Sequence, residues 1–242
     1  MKILALAKTW QNKKYWVMLI AILLLGACQK KNAQPDFSGR LDILGPRPSF
    51  NLGALSSDWV ISGDTGSEHL SLLNEDGVPA LKITSGNKYT LLARRISANL
   101  LATPYLSWAW NIQPNAGQQF PIRLIIGLSN KQSNLSLFPD QNLPEHQRLI
   151  TLGWGRSALQ RGTLRLKDGK KTRPSKITNY TVRGGEENTG SWWLETVDLS
   201  EVYDKSWPGK EMRDVKIVFI GIAATASPDN TSVLLSGLRL SH

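Results

Sequence analysis

The sequence predicts an all-β domain, a sandwich or barrel of many short strands. Three observations carry that expectation. Short apolar and β-branched runs recur along the chain, separated by clusters of Gly, Pro, Asn, Asp and Ser. No stretch after residue 40 keeps apolar residues at helical spacing for three turns,. Within residues 105–112 the side chains alternate, with Leu106, Trp108, Trp110 and Ile112 on one face and Tyr105, Ser107, Ala109 and Asn111 on the other,.

The first element stands apart from that domain. Residues 1–14 carry Lys2, Lys8, Lys13 and Lys14 and no acid, and residues 15–25 are almost wholly apolar. Leu25-Gly26-Ala27 then leads into Cys28, the only cysteine of the chain. A charged start, a short apolar core and a small-residue cleavage site make an export signal. The apolar run is too short to cross a membrane as a helix, which takes about 20 residues. The stretch resembles the lipobox of bacterial lipoproteins. That resemblance implies removal of residues 1–27 and lipidation of Cys28, which becomes the membrane anchor. Gln29, not Asp, follows the cysteine, which in two-membrane bacteria implies the periplasmic face of the outer membrane. Residues 28–40 are polar and turn-rich and read as a flexible tether. The single folded domain is expected over 41–242.

Composition narrows the function classes. Losing residues 1–27 takes away four lysines and no acid, so 25 basic residues remain against 19 acids, about +6. The remaining cations are scattered, apart from the run Lys167-Asp168-Gly169-Lys170-Lys171-Thr172-Arg173, which reads as a solvated turn. Nucleic-acid binding wants a concentrated basic groove or helix, so no nucleic-acid partner is expected. With one cysteine no internal disulfide can form. The core must hold the domain, and Trp59, Trp108, Trp110, Trp154, Trp192, Trp193 and Trp207 are available to fill it,.

Strands are expected, in order, over 80–84, 89–96, 105–112, 122–128, 148–153, 164–167, 191–198, 215–224 and 232–240, with 177–182 able to pair as another. The 215–223 run is apolar on both faces beyond Lys216, which suits a central strand covered on each side. Leu106, Trp108, Trp110, Ile112, Leu124, Ile126, Ile217 and Phe219 are the expected members of one core. Asp198 is placed to cap a short helical turn. Residues 129–147 form a loop long enough to suggest a role.

Four pieces of the chain, in order, are similar to the bacterial domain-of-unknown-function family 3047, a group of exported proteins. They are Leu92-Ala93-Arg94-Arg95-Ile96 leading to Pro104-Tyr105-Leu106-Ser107-Trp108-Ala109-Trp110; Leu152-Gly153-Trp154-Gly155; Gly190-Ser191-Trp192-Trp193 with Val197-Asp198-Leu199; and 217–223 followed by Ser227-Pro228-Asp229-Asn230-Thr231. In that family the positions beside the Trp-x-Trp tryptophans are often arginine, whereas here they are Ser107, Ala109 and Asn111. The resemblance implies a jelly-roll-like sandwich of the kind used by carbohydrate-binding modules. It implies no settled activity.

Catalytic signals are thin. The histidines, His69, His146 and His242, lack metal spacing,. No Gly-x-Ser-x-Gly elbow is present,. Glu186-Glu187, and Glu195 with Asp198, are the acid pairs on offer. Asp229 and Asn230 could ligate calcium, but these residue types more often make a turn. No metal or cofactor is expected. The expected binding residues are Trp154 and Arg156, beside flanking glycines, with Trp193 as the outward member of its pair and Arg183 as a donor to sugar hydroxyls or anions. The leading function is an envelope-tethered lipoprotein that binds a glycan or another envelope component without catalysis. The alternatives are a hydrolase or lyase acting on a polysaccharide, and a structural or assembly lipoprotein with protein partners. Cys28→Ser should abolish palmitate labelling and release the protein from membranes; equal labelling of wild type and variant would remove the basis for the anchor.

Overall fold

The structure is a computed structural model, and it describes residues 32–44, 52, 55–114, 120–130, 142–167 and 175–242. The signal segment, Cys28 and most of the 167–173 charge run lie outside the described residues. The folded unit spans Asn32–His242.

The fold is a β-sandwich of two sheets, jelly-roll-like as expected. One sheet orders β11 (Trp192–Asp198), β6 (Tyr105–Ile112), β13 (Ser232–Ser241), β4 (Val78–Thr84) and β3 (Leu70–Glu75), with β1 (Leu41–Asp42) paired to the end of β13. The other orders β2 (Trp59–Gly63), β5 (Thr90–Asn99), β12 (Lys216–Ala224), β7 (Ile122–Ser129), β8 (Arg148–Gly155), β10 (Ile177–Gly184) and β9 (Leu164–Leu166). The pairings between these strands are antiparallel except that of β8 with β10. Strands β1, β2 and β3 were not expected from the sequence. The β3–β4 hairpin turns on Asp76-Gly77, both with positive φ, and an Asp-Gly pair is the residue choice such a two-residue turn favours.

Asp198 caps the one α-helix described, α1 (Leu199–Ser206); its Oδ1 accepts from the amides of Ser200 and Glu201 at 2.9 and 3.1 Å. The helix runs longer than one turn because Leu199, Val202 and Tyr203 bury its inner face, and apolar packing sustains a helix too short to stand alone.

Part of the stretch expected as a tether, residues 32–40, lies within the folded unit. Ala33 pairs in parallel with Ile96: its amide donates to Arg95 O at 3.0 Å and its carbonyl accepts from Ser97 N at 2.8 Å. Asp36 then closes a turn by accepting from the amides of Ser38 and Arg40. The polar residues of this stretch satisfy one another on the domain instead of solvating a free segment.

Leu106, Trp108, Trp110, Ile112, Leu124, Ile126 and Ile217 share one core between the sheets. Phe219 does not join them. A bulge between Ile217 and Phe219 shifts the register of β12 against both neighbours, which sends Phe219 to the outer face with Ile125 and Leu149,. The central strand is covered on both faces, as its composition required. Trp108 and Trp110 meet edge-to-face at 5.4 Å, and Trp110 meets Trp154 at 5.6 Å. Neither Trp108 nor Trp110 finds a partner for its indole N–H. Trp108→Ala or Trp110→Ala should therefore cost about 3–5 kcal/mol in urea melts. Trp110→Phe should cost clearly less, because no hydrogen bond is lost; an equal cost for both Trp110 variants would contradict this account of the core.

Candidate functional site

The outer face of the seven-stranded sheet is divided in two. One half is apolar: Val60, Leu91, Ala93, Ile125, Leu149, Phe219 and Ala223 pack with Leu143 of the last part of the long 129–147 loop. Arg95 pins that segment, donating from Nε and Nη2 to Asn142 O at 3.2 and 2.8 Å. His146 packs edge-on against Phe219 at 4.9 Å and is fully buried. Burial holds its pKa below the ordinary histidine value, although the hydrogen bond to Pro144 O works the other way. Residues 131–141 of the loop lie outside the described residues.

The other half is an open groove of about 730 Å³. Strand register builds its floor. Arg123 of β7 sits opposite Gly153 of β8, Gly153 opposite Thr181 of β10, and Asn179 of β10 opposite Arg165 of β9. Arg156, Gln160 and Lys167 add to the walls, as do Phe120 and Trp154. No acidic residue lines the groove among the described residues.

Arg123 is the unusual member. Its guanidinium lies over the Gly153 backbone, where a Cβ would collide with Nη1. Burial pulls its pKa below the ordinary arginine value. It makes no hydrogen bond or ion pair among the described residues. The sequence signal was present, since Arg123 is the only charged residue in the apolar run 122–128. Asn179, Thr181 and Arg165 gave no signal, because their place beside Arg123 depends on the pairing of β10 with β8 on one side and β9 on the other.

The residues expected to bind divide between this groove and the sandwich interior. Arg156 is exposed on the groove. Trp154 is not an exposed indole: its side chain is 4% exposed, and Nε1 donates inward to Gly185 O at 3.1 Å. Trp193 is the inward member of its pair, opposite Trp110, while Trp192 turns outward opposite Asn111. Trp193 Nε1 donates to Asn188 O at 2.8 Å. Arg183 lies inside as well, because a bulge between Thr181 and Arg183 brings it into register with Trp154. Its Cζ stacks 3.8 Å from the centre of the Trp193 ring, and its Nε donates to Glu195 Oε1 at 2.6 Å. Glu195 is 3% exposed and has Arg161 Nη2 at 3.7 Å from its second oxygen. The four residues therefore do not form one exposed face.

Asp198 is occupied as the cap of α1, separate from Glu195. Glu186 and Glu187 sit exposed on a 3-10 turn. Asp229 N donates to Ser227 Oγ at 3.4 Å and Asn230 has φ of 45°, which makes this connection a turn,. Asp64, Glu68 and His69 come together near the start of β3, where His69 Nε2 lies 3.3 Å from Asp64.

The sequence signature of the proteins of unknown function DUF3047 matches residues 57–233. The chain belongs to the DUF3047 family. No curated protein matches it in sequence. Among solved structures, this DUF3047 chain is similar to the family 11 carbohydrate-binding module of a cellulosomal cellulase from Clostridium thermocellum, with TM-score 0.43 and 10% identity over 85% of this chain and 96% of that one. It is also similar to endoglucanase 3 of Trichoderma harzianum, from family GH12, with TM-score 0.43 and 9% identity over 89% and 96% of the two chains. A family 12 xyloglucanase from Bacillus licheniformis gives TM-score 0.42 and 7% identity over 88% and 97%.

The Arg183–Glu195 pair yields a stability test. Arg183→Met leaves a buried carboxylate facing only the distant Arg161, and breaking such a pair costs about 3–5 kcal/mol. Arg183→Met combined with Glu195→Leu should recover most of that loss in chemical denaturation. Additive losses in the double variant would show that the two side chains act independently.

Proposed function

We propose that this DUF3047 protein is a non-catalytic glycan-binding protein of the cell envelope, with its ligand seated in the groove on the outer face of the seven-stranded sheet. The observation that carries the reading is the groove itself. Its volume of about 730 Å³ falls in the range of ligand clefts, about 300–1,000 Å³. Its floor is rigid, being built on four paired strands. Its polar groups suit hydroxyl-rich chains: Asn179 and Gln160 both donate and accept, Thr181 offers a hydroxyl, and the guanidiniums donate,.

The acids support binding rather than bond cleavage. Glycoside hydrolysis generally uses two carboxyl groups flanking the scissile bond, and the described groove lining holds none. The two buried carboxylates described, Asp58 and Glu195, are each engaged by an arginine. Burial raises the pKa of Asp58, but hydrogen bonds from Ser56 and Arg94 outweigh it and hold the group below the ordinary aspartate value. An ionised, paired carboxylate such as Asp58 cannot serve as a general acid.

Envelope placement rests on the sequence of residues 1–28, read as an export signal with Cys28 lipidated and the domain held at the outer membrane. Among the described residues no helix is long and apolar enough to cross a membrane. A lipid anchor on Cys28 and a glycan in the groove would place the protein between membrane and polymer, with no cofactor, metal or nucleic acid required. The test is a glycan array probed with the purified protein and with a variant carrying Arg156→Ala, Arg165→Ala and Lys167→Ala. Wild type should bind a defined subset of glycans and the variant should lose most of that signal at unchanged melting temperature. A folded wild type that binds no glycan would overturn the reading.

A further inference from the structure

We propose that the glycan is acidic, and that Arg123 takes its carboxylate or sulfate groups at the centre of the groove; this rests on the glycan reading above. The argument begins with the cost of Arg123. A cation removed from water is destabilising unless it is paired and hydrogen-bonded. Arg94 and Arg95 of β5 and Arg183 of β10, partly or fully buried arginines of the same sheet, all have such partners. Arg123 has none among the described residues, yet it lies down on the sheet over Gly153, the one residue type whose backbone leaves room for it. Its fork of donors faces the groove, ready for a group with two acceptor oxygens. Guanidinium binds such oxyanions with two parallel hydrogen bonds.

The surroundings repeat the same chemistry. Arg156, Arg165 and Lys167 stand exposed around Arg123, with no acid among the described lining residues to compete for them. Asn179 and Thr181 lie in the floor between these cations. They supply neutral hydrogen bonds of the kind that hydroxyls use, which a bare polyanion would leave idle. Aromatic stacking has little place here. The aromatic members of the lining, Phe120 and Trp154, are only 8% and 4% exposed. Neutral sugars that need a ring face, and nucleic-acid bases that need a stacking platform, find none among the described lining residues.

The test is titration calorimetry of the full-length processed protein against four polymers at low and high salt. They are polygalacturonate, heparin, a neutral mixed-linkage β-glucan and inorganic polyphosphate. The proposal expects binding of polygalacturonate or heparin that weakens as salt rises, and little binding of the β-glucan. Arg123→Ala should weaken that binding at least tenfold, and Arg123→Lys, which keeps the charge but loses the fork, should fall between. Arg239→Ala, on the outer face of the other sheet, should change affinity less than twofold, separating a local contact from net charge. Melting temperatures report that each variant is folded. Tight, Arg123-independent binding of the β-glucan would overturn the acidic ligand while leaving glycan binding intact. Polyphosphate bound as tightly as either acidic glycan would keep charge recognition and overturn the glycan. Folded protein that binds none of the four would overturn both.

Discussion

Two sheets packed face to face leave an edge where the chain must cross between them, and polar groups are trapped at such a crossing. In this protein the crossing from β10 to β11 is tied by Arg183. Its guanidinium comes from one sheet, stacks on Trp193 and holds Glu195 of the other. The segment between the two strands supplies backbone acceptors for both neighbouring indoles, Gly185 O for Trp154 and Asn188 O for Trp193. A buried ion pair adds little net stability over a well-packed apolar pair, but breaking it is expensive. Its contribution is to exclude alternatives: β11 cannot slip by one residue without placing Glu195 outside and Leu194, now 77% exposed, within,. With no disulfide available, this clamp fixes the register of the edge.

The same bulge that sends Arg183 inward governs the outer face. Thr181 lies on one side of it and remains in the outward row with Gly153 and Arg123. Arg183 lies beyond it and joins Trp154 inside. The chain thus separates two arginine environments on β7 and β10, the two strands that flank β8. One guanidinium is fully partnered and structural; the other has no partner among the described residues and lines the groove. A second bulge, in β12, sends Phe219 outward to found the apolar half of the same face. The segment around Leu143, pinned by Arg95 of β5, covers that half, and the groove lies on the other half of the same sheet face.

Much of this could be read from the sequence, and the failures have physical causes. Alternation identified Leu106, Trp108, Trp110 and Ile112 as core because their strand is regular and flanked by partners on both sides. Alternation failed for Trp192-Trp193, where the outward set, Trp192, Leu194 and Thr196, is more apolar than the inward set that includes Glu195. A buried acid inverts the pattern, and only its partner Arg183, twelve residues away, explains why it is tolerated. Phe219 and Arg183 were misplaced by bulges, each of which flips a face without any local mark. Arg123 was legible in principle, as a lone cation in an apolar strand, but its setting over Gly153 required the register of β7 against β8.

Sequences that specify one structure agree with it at every level, and the local exceptions gather where function is exercised. Measured that way, Glu195 and Arg123 are the two exceptions in the strands around the clamp and groove. Glu195 is resolved within the protein by Arg183 and serves the fold. Arg123 is not resolved within the described protein. Replacing it with a β-branched residue would suit strand β7 better, since such residues fit a pleated, half-buried surface. The exception concerns a polar group placed where the sheet face is left uncovered, next to glycine and among cations that add to its charge. A group in that position destabilises the unliganded protein and becomes favourable when an oxyanion arrives, so its energy is realised in binding and not in folding.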